Sequence, residues 1–383
     1  MKKAPVIWAV GVTAFLGLGL LSHSSSASHQ PAAAWDPQKA AGYLEQRIAW
    51  WMDWTGSARG NGTFCISCHT AVPYALGRPA LRAALDETAP SPNERRLIED
   101  INQRVRLGDR VAPYYNDTGG ANKLNESRGT EAVLNAVVLA SYDARSGHLT
   151  NDTRLALSRM WSLQIQSGPA AGSWAWLQFG NEPFEGHDSA YYGAALAAVA
   201  AGIAPEQYRS SLDIQMNLKL LAAYLGREGA DQSPINQTVL LWASVGWPEL
   251  ITAERRRSII ESVTAKQQKD GGWNLGSLAW SWNDWNARSL FRFYAKSYGT
   301  PLKGQSDAYA TALIAFVLEK AGISREEGHL SRALGWLTRN QNPADGRWTS
   351  YSLNNRRDPN SPTGLFMSDA ATAYAVLALT GVN

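Results

Sequence analysis

Three segments of this chain share one order of residues: a Gln, then a turn that contains Gly, then a Trp. They are Gln164–Trp174, Gln268–Trp273 and Gln341–Trp348. Each follows an amphipathic stretch and precedes a run of small and apolar residues that opens with Ser and Asp. Such internal similarity is the signature of repeat architectures, in which each repeat is one supersecondary unit. The sequence therefore predicts a fold assembled from repeated pairs of elements.

The pattern extends to about six pairs of helices. The amphipathic stretches predict outer helices near 37–53, 93–108, 152–166, 210–227, 254–269 and 328–340. The Ala-rich runs are apolar nearly all round, which is typical of helices covered by a second layer. They predict inner helices near 70–86, 129–143, 188–201, 235–246, 307–321 and 369–380. No convincing alternation of period two is present, so the domain is predicted to be all-α.

The Gln…Gly-x-Trp turns resemble the QW repeats of the squalene–hopene cyclase and prenyltransferase superfamily, whose domains are α/α toroids. The resemblance covers most of residues 36–381 and implies an (α/α)6 toroid of about six inner and outer helix pairs. It implies less about activity. The protonating Asp-x-Asp-Asp motif, an Asp-rich diphosphate motif and a zinc-binding Cys/His/Asp set are all absent from the sequence. The Gln and Trp are expected to stabilise the turns by bonding to backbone groups at helix ends.

A second motif, Cys65-Ile66-Ser67-Cys68-His69, contains both cysteines of the chain. The C-x-x-C-H spacing is the attachment signature of c-type haem. Two thiols at this spacing can each form a thioether to a haem vinyl group, and the adjacent imidazole can bind the iron. One covalent haem c is therefore predicted, attached by Cys65 and Cys68, with His69 as a metal ligand. The motif takes the place of a QW turn, and His69 aligns with the repeated Asp of the inner helices.

Two other interpretations of the motif remain open. The cysteines could form a Cys65–Cys68 disulfide. They could also belong to a structural zinc site, but such a site needs about four ligands, and the sequence has no second pair of cysteines to supply them. For the haem, Met367 is predicted as the sixth ligand, because the last inner helix of a closed toroid lies beside the first. His187 is the alternative ligand, and a five-coordinate iron is also possible.

The amino terminus predicts export. Lys2 and Lys3 precede an apolar run and then a small-residue cleavage site, which is the order found in signal peptides. The predicted organisation is a signal peptide over 1–27, a linker over 28–35 and the toroid domain over 36–383. The protein is therefore expected to be periplasmic or secreted, with membrane contact only transient or through an uncleaved signal anchor. A net charge of +3 and the lack of a basic stripe argue against nucleic-acid binding.

Two further groups of residues could carry chemistry. The acidic residues expected at one mouth of the toroid are Glu131, Asp188, Asp307 and Asp369. They could act as general acid and base, or they could cap helices, and capping explains all four. An insertion over 278–293 carries Trp280, Trp282 and Trp285 with Asp284 and Arg288. Its tryptophans could stack on a ligand or pack the loop onto the ring.

The sequence as a whole predicts an exported c-type haem protein on a squalene-cyclase-like toroid. Its function would be electron transfer or redox chemistry at the cavity mouth around His69, with a redox partner protein or a small-molecule substrate that the sequence does not identify. The alternative is a non-haem enzyme or binding protein for a hydrophobic, isoprenoid-like ligand or a carbohydrate. In that case Cys65 and Cys68 form a disulfide.

Overall fold

A computed structural model describes Met1 and residues 34–381, except 118–121, 187, 280–304, 354 and 356. The described residues form twelve α-helices. The outer helices are Pro37–Asp53 (α1), Pro92–Leu107 (α3), Asn151–Ser162 (α5), Gln215–Glu228 (α7), Ala253–Thr264 (α9) and Gly328–Arg339 (α11). The inner helices are Ala71–Ala84 (α2), Lys123–Ser146 (α4), Ser189–Ile203 (α6), Pro234–Gly246 (α8), Ala308–Lys320 (α10) and Phe366–Thr380 (α12).

Several helices begin where the sequence supplies a capping side chain. Asp36 accepts from Lys39 N at 2.9 Å at the start of α1, and Ser91 accepts from Glu94 N at 3.1 Å at the start of α3. Both helices then begin with Pro, whose missing N–H would have no acceptor in the first turn. These local signals fix where the outer helices start.

The inner helices form a closed ring. Each of α2, α4, α6, α8, α10 and α12 contacts the next, and α12 returns to α2. The outer helices pack against this ring, which explains why the Ala-rich inner helices are buried on nearly every side. Apart from isolated bridges, the described residues contain no strand. The predicted all-α class and the toroid of six helix pairs are therefore confirmed.

The tryptophan of each QW-like turn bonds to the end of the preceding outer helix. The indole N–H groups of Trp174, Trp273 and Trp348 donate to Met160 O at 2.6 Å, Val263 O at 2.8 Å and Leu337 O at 2.7 Å. All three rings are almost fully buried. Each one therefore adds a second, shorter hydrogen bond to a carbonyl of the last helical turn, which also accepts from a backbone N–H, and covers the joint with apolar surface.

The glutamine of each turn bonds to the turn itself. Gln164 donates to Gly172 O at 3.1 Å and Gln341 donates to Gly346 O at 2.9 Å. In the middle turn this bond comes from Gln267, which donates to Gly271 O at 2.8 Å. The equivalent residue is thus Gln267 and not the neighbouring Gln268 from which the repeat was aligned.

The last of these glutamines also closes the ring. Gln341 donates to Asp36 O at 2.9 Å and accepts from Asp36 N at 2.6 Å. This reciprocal pair joins the beginning of α1 to the turn after α11. The joint is tight, because Gly346 has φ +77° and a Cβ there would overlap the backbone of Lys39 and Ala40.

Gly346→Ala is expected to lower the free energy of unfolding by about 1–3 kcal/mol, because it adds left-handed strain and a backbone clash at this joint. Gly42→Ala is the matched control: Gly42 lies inside α1 with open space around its Cα. There the same change should stabilise by about 0.5–1 kcal/mol. Urea denaturation of the two variants would measure both effects. Equal stability of the two would contradict the assignment of a close approach at Gly346.

An aromatic column fills the centre of the ring. Its ring centroids follow one another at 5.4 Å from Phe184 to Tyr309, 6.0 Å to Tyr374, 6.0 Å to Phe316 and 5.3 Å to Trp242. Such edge-on and tilted pairs are favourable aromatic geometries. The column separates a cavity at the amino-terminal ends of the inner helices from another at their carboxyl-terminal ends.

Within the described part of the chain, no helix combines the length and the apolar character needed to cross a bilayer. Residues 2–33, which hold the predicted signal peptide after Met1 and most of the predicted linker, lie outside the described residues.

Candidate active site

A cavity of about 450 Å³ opens at the amino-terminal ends of the inner helices. The end of α1 and the segments before α2, α6 and α12 line it. Its aromatic walls are Trp51, Trp54, Tyr115, Phe179, Phe184 and Phe366. The polar groups that line it are His69, Asn181, Glu182, Glu185, Ser352, Asn355, Arg357 and Thr363. A mostly apolar wall with a few converging polar groups is typical of a small-molecule site.

The turn before α6 brings two carboxylates to this cavity. Glu185 N donates to Asn181 O at 2.8 Å, and Phe179 N donates to Glu185 O at 2.9 Å. Glu182 lies within this turn, and its carboxylate occupies the space that a Cβ at Gly186 would take. A side chain at position 186 would therefore displace the Glu182 carboxylate from this position.

The Glu185 carboxyl is held in place and partly desolvated. Asn181 Nδ2 donates to Glu185 Oε2 at 2.9 Å. Burial raises the pKa of Glu185 above its ordinary value, and the Asn181 hydrogen bond and the charges of Arg357 and Lys123 oppose that rise only in part. A glutamate whose pKa is raised in this way stays protonated at a higher pH than an ordinary glutamate does. It is suited to act as a general acid.

His69 lines the same cavity but is engaged with its neighbours. Its ring stacks on Phe366 with centroids 3.8 Å apart, and the edge of Trp51 approaches at 5.2 Å. Thr70 Oγ1 donates to Asp369 Oδ2 at 2.7 Å, so it accepts from His69 Nδ1 at 2.9 Å. Burial, with the charges of Arg357 and Arg47, lowers the pKa of His69 well below its ordinary value. The imidazole is therefore neutral at pH 7.

The two cysteines belong to the hydrophobic core. Cys65 and Cys68 are free thiols, 7% and 6% exposed. Burial raises the pKa of Cys65 to about 11 and that of Cys68 well above its ordinary value. Both are consequently protonated and poorly nucleophilic at neutral pH. Met367 lines the cavity together with His69, so the structure places these two predicted residues at one site.

The four acidic residues singled out in the sequence do not line this cavity. Glu131 binds Arg104 in bidentate fashion at 2.7 and 3.0 Å, and Asp307 caps α10 by accepting from Ala310 N at 3.0 Å. Asp188 is the residue that precedes α6, and Asp369 binds Arg47 at 2.7 Å. Asp307 therefore caps a helix, as the capping interpretation predicts. Glu131 and Asp369 instead form buried ion pairs with arginines.

Ser306-Asp307 and Ser368-Asp369 are the Ser and Asp that open two of the repeated inner runs, and in sequence Asp307 aligns with Asp369. The structure shifts this alignment by one residue. Asp307 accepts from Leu275 N, and the group that accepts in the same way from Ser350 N, at 3.0 Å, is Ser368 Oγ. Ser368 is therefore the structural equivalent of Asp307, and Asp369 lies one position further into α12. His187, and the insertion residues Trp280, Trp282, Trp285, Asp284 and Arg288, lie outside the described residues.

Sequence reasoning missed Glu182 and Glu185. The available signal was the segment Asn181-Glu182-Pro183-Phe184-Glu185-Gly186, which sets two carboxylates around a Pro immediately before an inner helix. Loops at helix ends are common positions for functional residues on a rigid scaffold. Nothing in the linear sequence, however, indicates that the aromatic side chains of α1 and α12 face this loop.

No protein-family model matches the sequence, and no curated protein matches it. Several solved structures are similar. A wild-type glycosidase is 11% identical, with 91% of this chain and 98% of that chain covered and a TM-score of 0.49. A glycosidase variant in complex with glucose is 11% identical, with coverage of 90% and 97% and a TM-score of 0.49. A possible member of the GH105 family from Klebsiella pneumoniae subsp. pneumoniae is 13% identical, with coverage of 96% and 98% and a TM-score of 0.48.

The prediction of a haem c protein acting in electron transfer is wrong. The described residues contain no group of three or more His, Cys, Asp and Glu side chains that could hold a metal ion. The two thiols that would attach the porphyrin are packed into the core, and Phe366 lies directly against one face of the His69 ring. The motif Cys65–His69 is therefore a packed turn at the start of α2 in this structure.

Proposed function

We propose that this protein is a glycoside hydrolase whose substrate site is the cavity at the amino-terminal ends of the inner helices. The observation that carries the proposal is Glu185. Its carboxyl is desolvated, its pKa is raised, and it shares an aromatic-walled cavity with a second carboxylate, Glu182. Glycoside hydrolysis uses a pair of carboxyl groups, of which one must be protonated at the start of the reaction.

The chemistry assigns the two carboxyl groups different tasks. Glu185 donates its proton to the glycosidic oxygen as the bond from that oxygen to the anomeric carbon breaks, and the leaving sugar departs as an alcohol. Water supplies the hydroxyl group that the anomeric carbon gains, and its released proton restores the acid. Glu182 supplies the second carboxylate, which assists the attack on the anomeric carbon as base or nucleophile.

The lining of the cavity favours a sugar over a hydrocarbon. Asn181 and Asn355 offer donors and acceptors, and Arg357 offers donors, beside the two carboxylates, and a purely apolar ligand would shield these polar and charged groups from water without bonding to them. A sugar has hydroxyl groups for these partners and apolar C–H faces for the aromatic walls. This comparison supports the carbohydrate alternative and not the isoprenoid one.

The test is hydrolysis of a panel of neutral and acidic oligosaccharides, measured by the release of reducing ends. Phe179 forms part of the wall and is 41% exposed, so Phe179→Ala should raise KM about tenfold with little change in kcat. Met216→Ala, another exposed apolar residue at 62%, lies away from the cavity and should leave both constants unchanged. Hydrolysis of no member of the panel, together with no sugar binding by calorimetry, would refute the proposal.

We also infer that the ring is related to that of the squalene–hopene cyclase and prenyltransferase superfamily. The support is the hydrogen bonding of the QW-like turns, in which both Gln and Trp bond to backbone carbonyls. We further propose that the protein acts outside the cytoplasm. Support for export comes from the sequence of residues 1–27, with Lys2 and Lys3 before an apolar run.

A further inference from the structure

A small cavity of about 40 Å³ lies where the outer helices α3 and α5 meet the inner helix α4. Its volume suits about three water molecules or one ligand of similar size. Val105, Ala132 and Ala156 form apolar parts of its wall. Among the described residues, it shares no lining side chain with the proposed substrate site. Binding here is therefore independent of the proposed glycosidase activity.

Two side chains of this lining have a buried polar atom without a hydrogen-bond partner. Asn135 is 4% exposed, and its Oδ1 accepts no hydrogen bond from the described part of the chain. The Nε of Arg159 is also buried and donates to no atom of that part. Buried polar atoms are normally hydrogen-bonded, because an unpaired one loses its bonds to water on burial. A cavity that contains two such groups points to a guest that bonds to both.

The charges of the lining favour an anion as this guest. Three arginines and two carboxylates line the cavity, which leaves a net charge of +1. Arg104 binds Glu131 in bidentate fashion, and Arg128 lies 3.9 Å from Asp109 and donates to three backbone carbonyls. Arg159 forms no ion pair with any residue that the structure describes. The uncompensated charge is therefore that of Arg159.

The dipole of α3 explains the position of Arg159 only in part. Its guanidinium group lies where a Cβ at Gly108 would be, at the carboxyl-terminal end of α3, and a cation is favourable there. The dipole does not give the Nε an acceptor, and it does not explain the unpaired amide of Asn135. A carboxylate would accept from the Nε and one Nη side by side. The Asn135 amide can turn to place its Nδ2 donor at the buried position and donate to the same anion.

We propose that this cavity binds a small carboxylate such as formate or acetate, held by the guanidinium group of Arg159 and the amide of Asn135. Water in the cavity would bond to both groups, but it would leave the charge of Arg159 uncompensated. Leu163, which also lines the cavity, is 42% exposed, so a small anion can enter from solvent. The bound carboxylate joins α4 to α5.

Isothermal titration calorimetry of the full protein with formate, acetate and pivalate, at an ionic strength held constant with sodium chloride, tests this site. Formate and acetate are expected to bind at one site per chain with a Kd of about 1 mM. Pivalate carries the same charge on a bulkier group and should bind at least about tenfold more weakly, because the cavity is too small for it. Arg159→Gln and Asn135→Leu should each weaken acetate binding about tenfold.

Arg154→Gln is the matched control. Arg154 lies on the same helix, forms an ion pair with Glu206 and does not line the cavity, so this variant should bind acetate as the wild type does. Thermal unfolding gives a second readout. Acetate at about ten times its Kd should raise the Tm of the wild type and of Arg154→Gln by about 2 °C, and it should not raise that of Arg159→Gln.

Four results would overturn the proposal. Neither formate nor acetate binds the wild type, so that water alone fills the cavity; pivalate binds as tightly as acetate; a folded Arg159→Gln or Asn135→Leu variant retains wild-type affinity; or Arg154→Gln loses as much affinity as Arg159→Gln. Unfolding curves without acetate establish which variants are folded. Arg159→Gln, at a half-buried position, decides the test if Asn135→Leu does not fold.

Discussion

Replacing Glu185 with glutamine is expected to lower kcat on an oligosaccharide by about 10²–10⁴-fold, because the amide cannot supply the proton that the leaving oxygen needs. The change is nearly isosteric, and Asn181 can still bond to the amide oxygen. Substrates with activated aryl leaving groups need less protonation, so they should lose much less rate. A purely structural role for Glu185 would slow both substrate types equally, and that outcome would remove it from the mechanism.

The pH profile gives a second readout of the same residue. A general acid works only while protonated, so kcat/KM should fall as the pH rises through the pKa of Glu185. Because burial raises that pKa, the fall should occur above the ordinary range of a glutamate. The charge of Arg357 opposes the rise, so Arg357→Met should move the alkaline limb to still higher pH. Glu261→Gln, at an exposed position of α9, is the control and should not move it.

Arg47→Leu is expected to lower the free energy of unfolding by about 3–5 kcal/mol, since it leaves the Asp369 charge buried without its cation. Arg47 donates to both oxygens of Asp369 at 2.7 and 2.9 Å, and the Asp369 side chain is 1% exposed. Tyr43 and Thr70 also donate to this carboxylate, at 2.8 and 2.7 Å. Two hydroxyl groups do not replace a guanidinium charge in such a place. Urea denaturation would measure the loss.

An exposed ion pair supplies the control for this variant. Arg96 and Asp53 lie 2.8 Å apart with side chains 48% and 68% exposed, so Arg96→Leu should cost at most about 1 kcal/mol. Burial already raises the pKa of Asp369, and losing Arg47 raises it further. The destabilisation of Arg47→Leu should therefore be largest at neutral pH and shrink as the pH falls and Asp369 becomes protonated. If Arg47→Leu lowers the free energy of unfolding no more than Arg96→Leu does, the buried pair contributes no more to stability than the exposed pair.

Much of the fold could be predicted because the helices carry local signals. The outer helix Pro37–Asp53 coincides with its predicted span, since Asp36 and Pro37 mark its start. The inner helix α4 begins at Lys123, six residues before the predicted 129, because its polar first turns show no apolar periodicity. Gly129 lies inside this helix where the carbonyl of Ala175 approaches closely, a contact that only the tertiary structure determines.

The site was much less predictable. The spacing of Cys65, Cys68 and His69 indicates what three side chains could do together, but it does not indicate whether they are accessible. Burial of the two thiols depends on helices distant in sequence. Likewise, Glu185 is an ordinary loop glutamate until the turn at Pro183 and the aromatic walls of α1 and α12 desolvate it. Desolvation is a property of the assembled ring and has no signature in the linear sequence.

The two hydrogen bonds between Asp36 and Gln341 affect how the protein unfolds. In open stacks of helical repeats, the end repeats have one neighbour and need special caps, and unfolding can begin there. Here the first and last pairs support each other, so every pair has two neighbours and no end repeat exists. Fraying from one end first requires opening the ring. The six pairs should therefore melt in a single cooperative transition and not one after another.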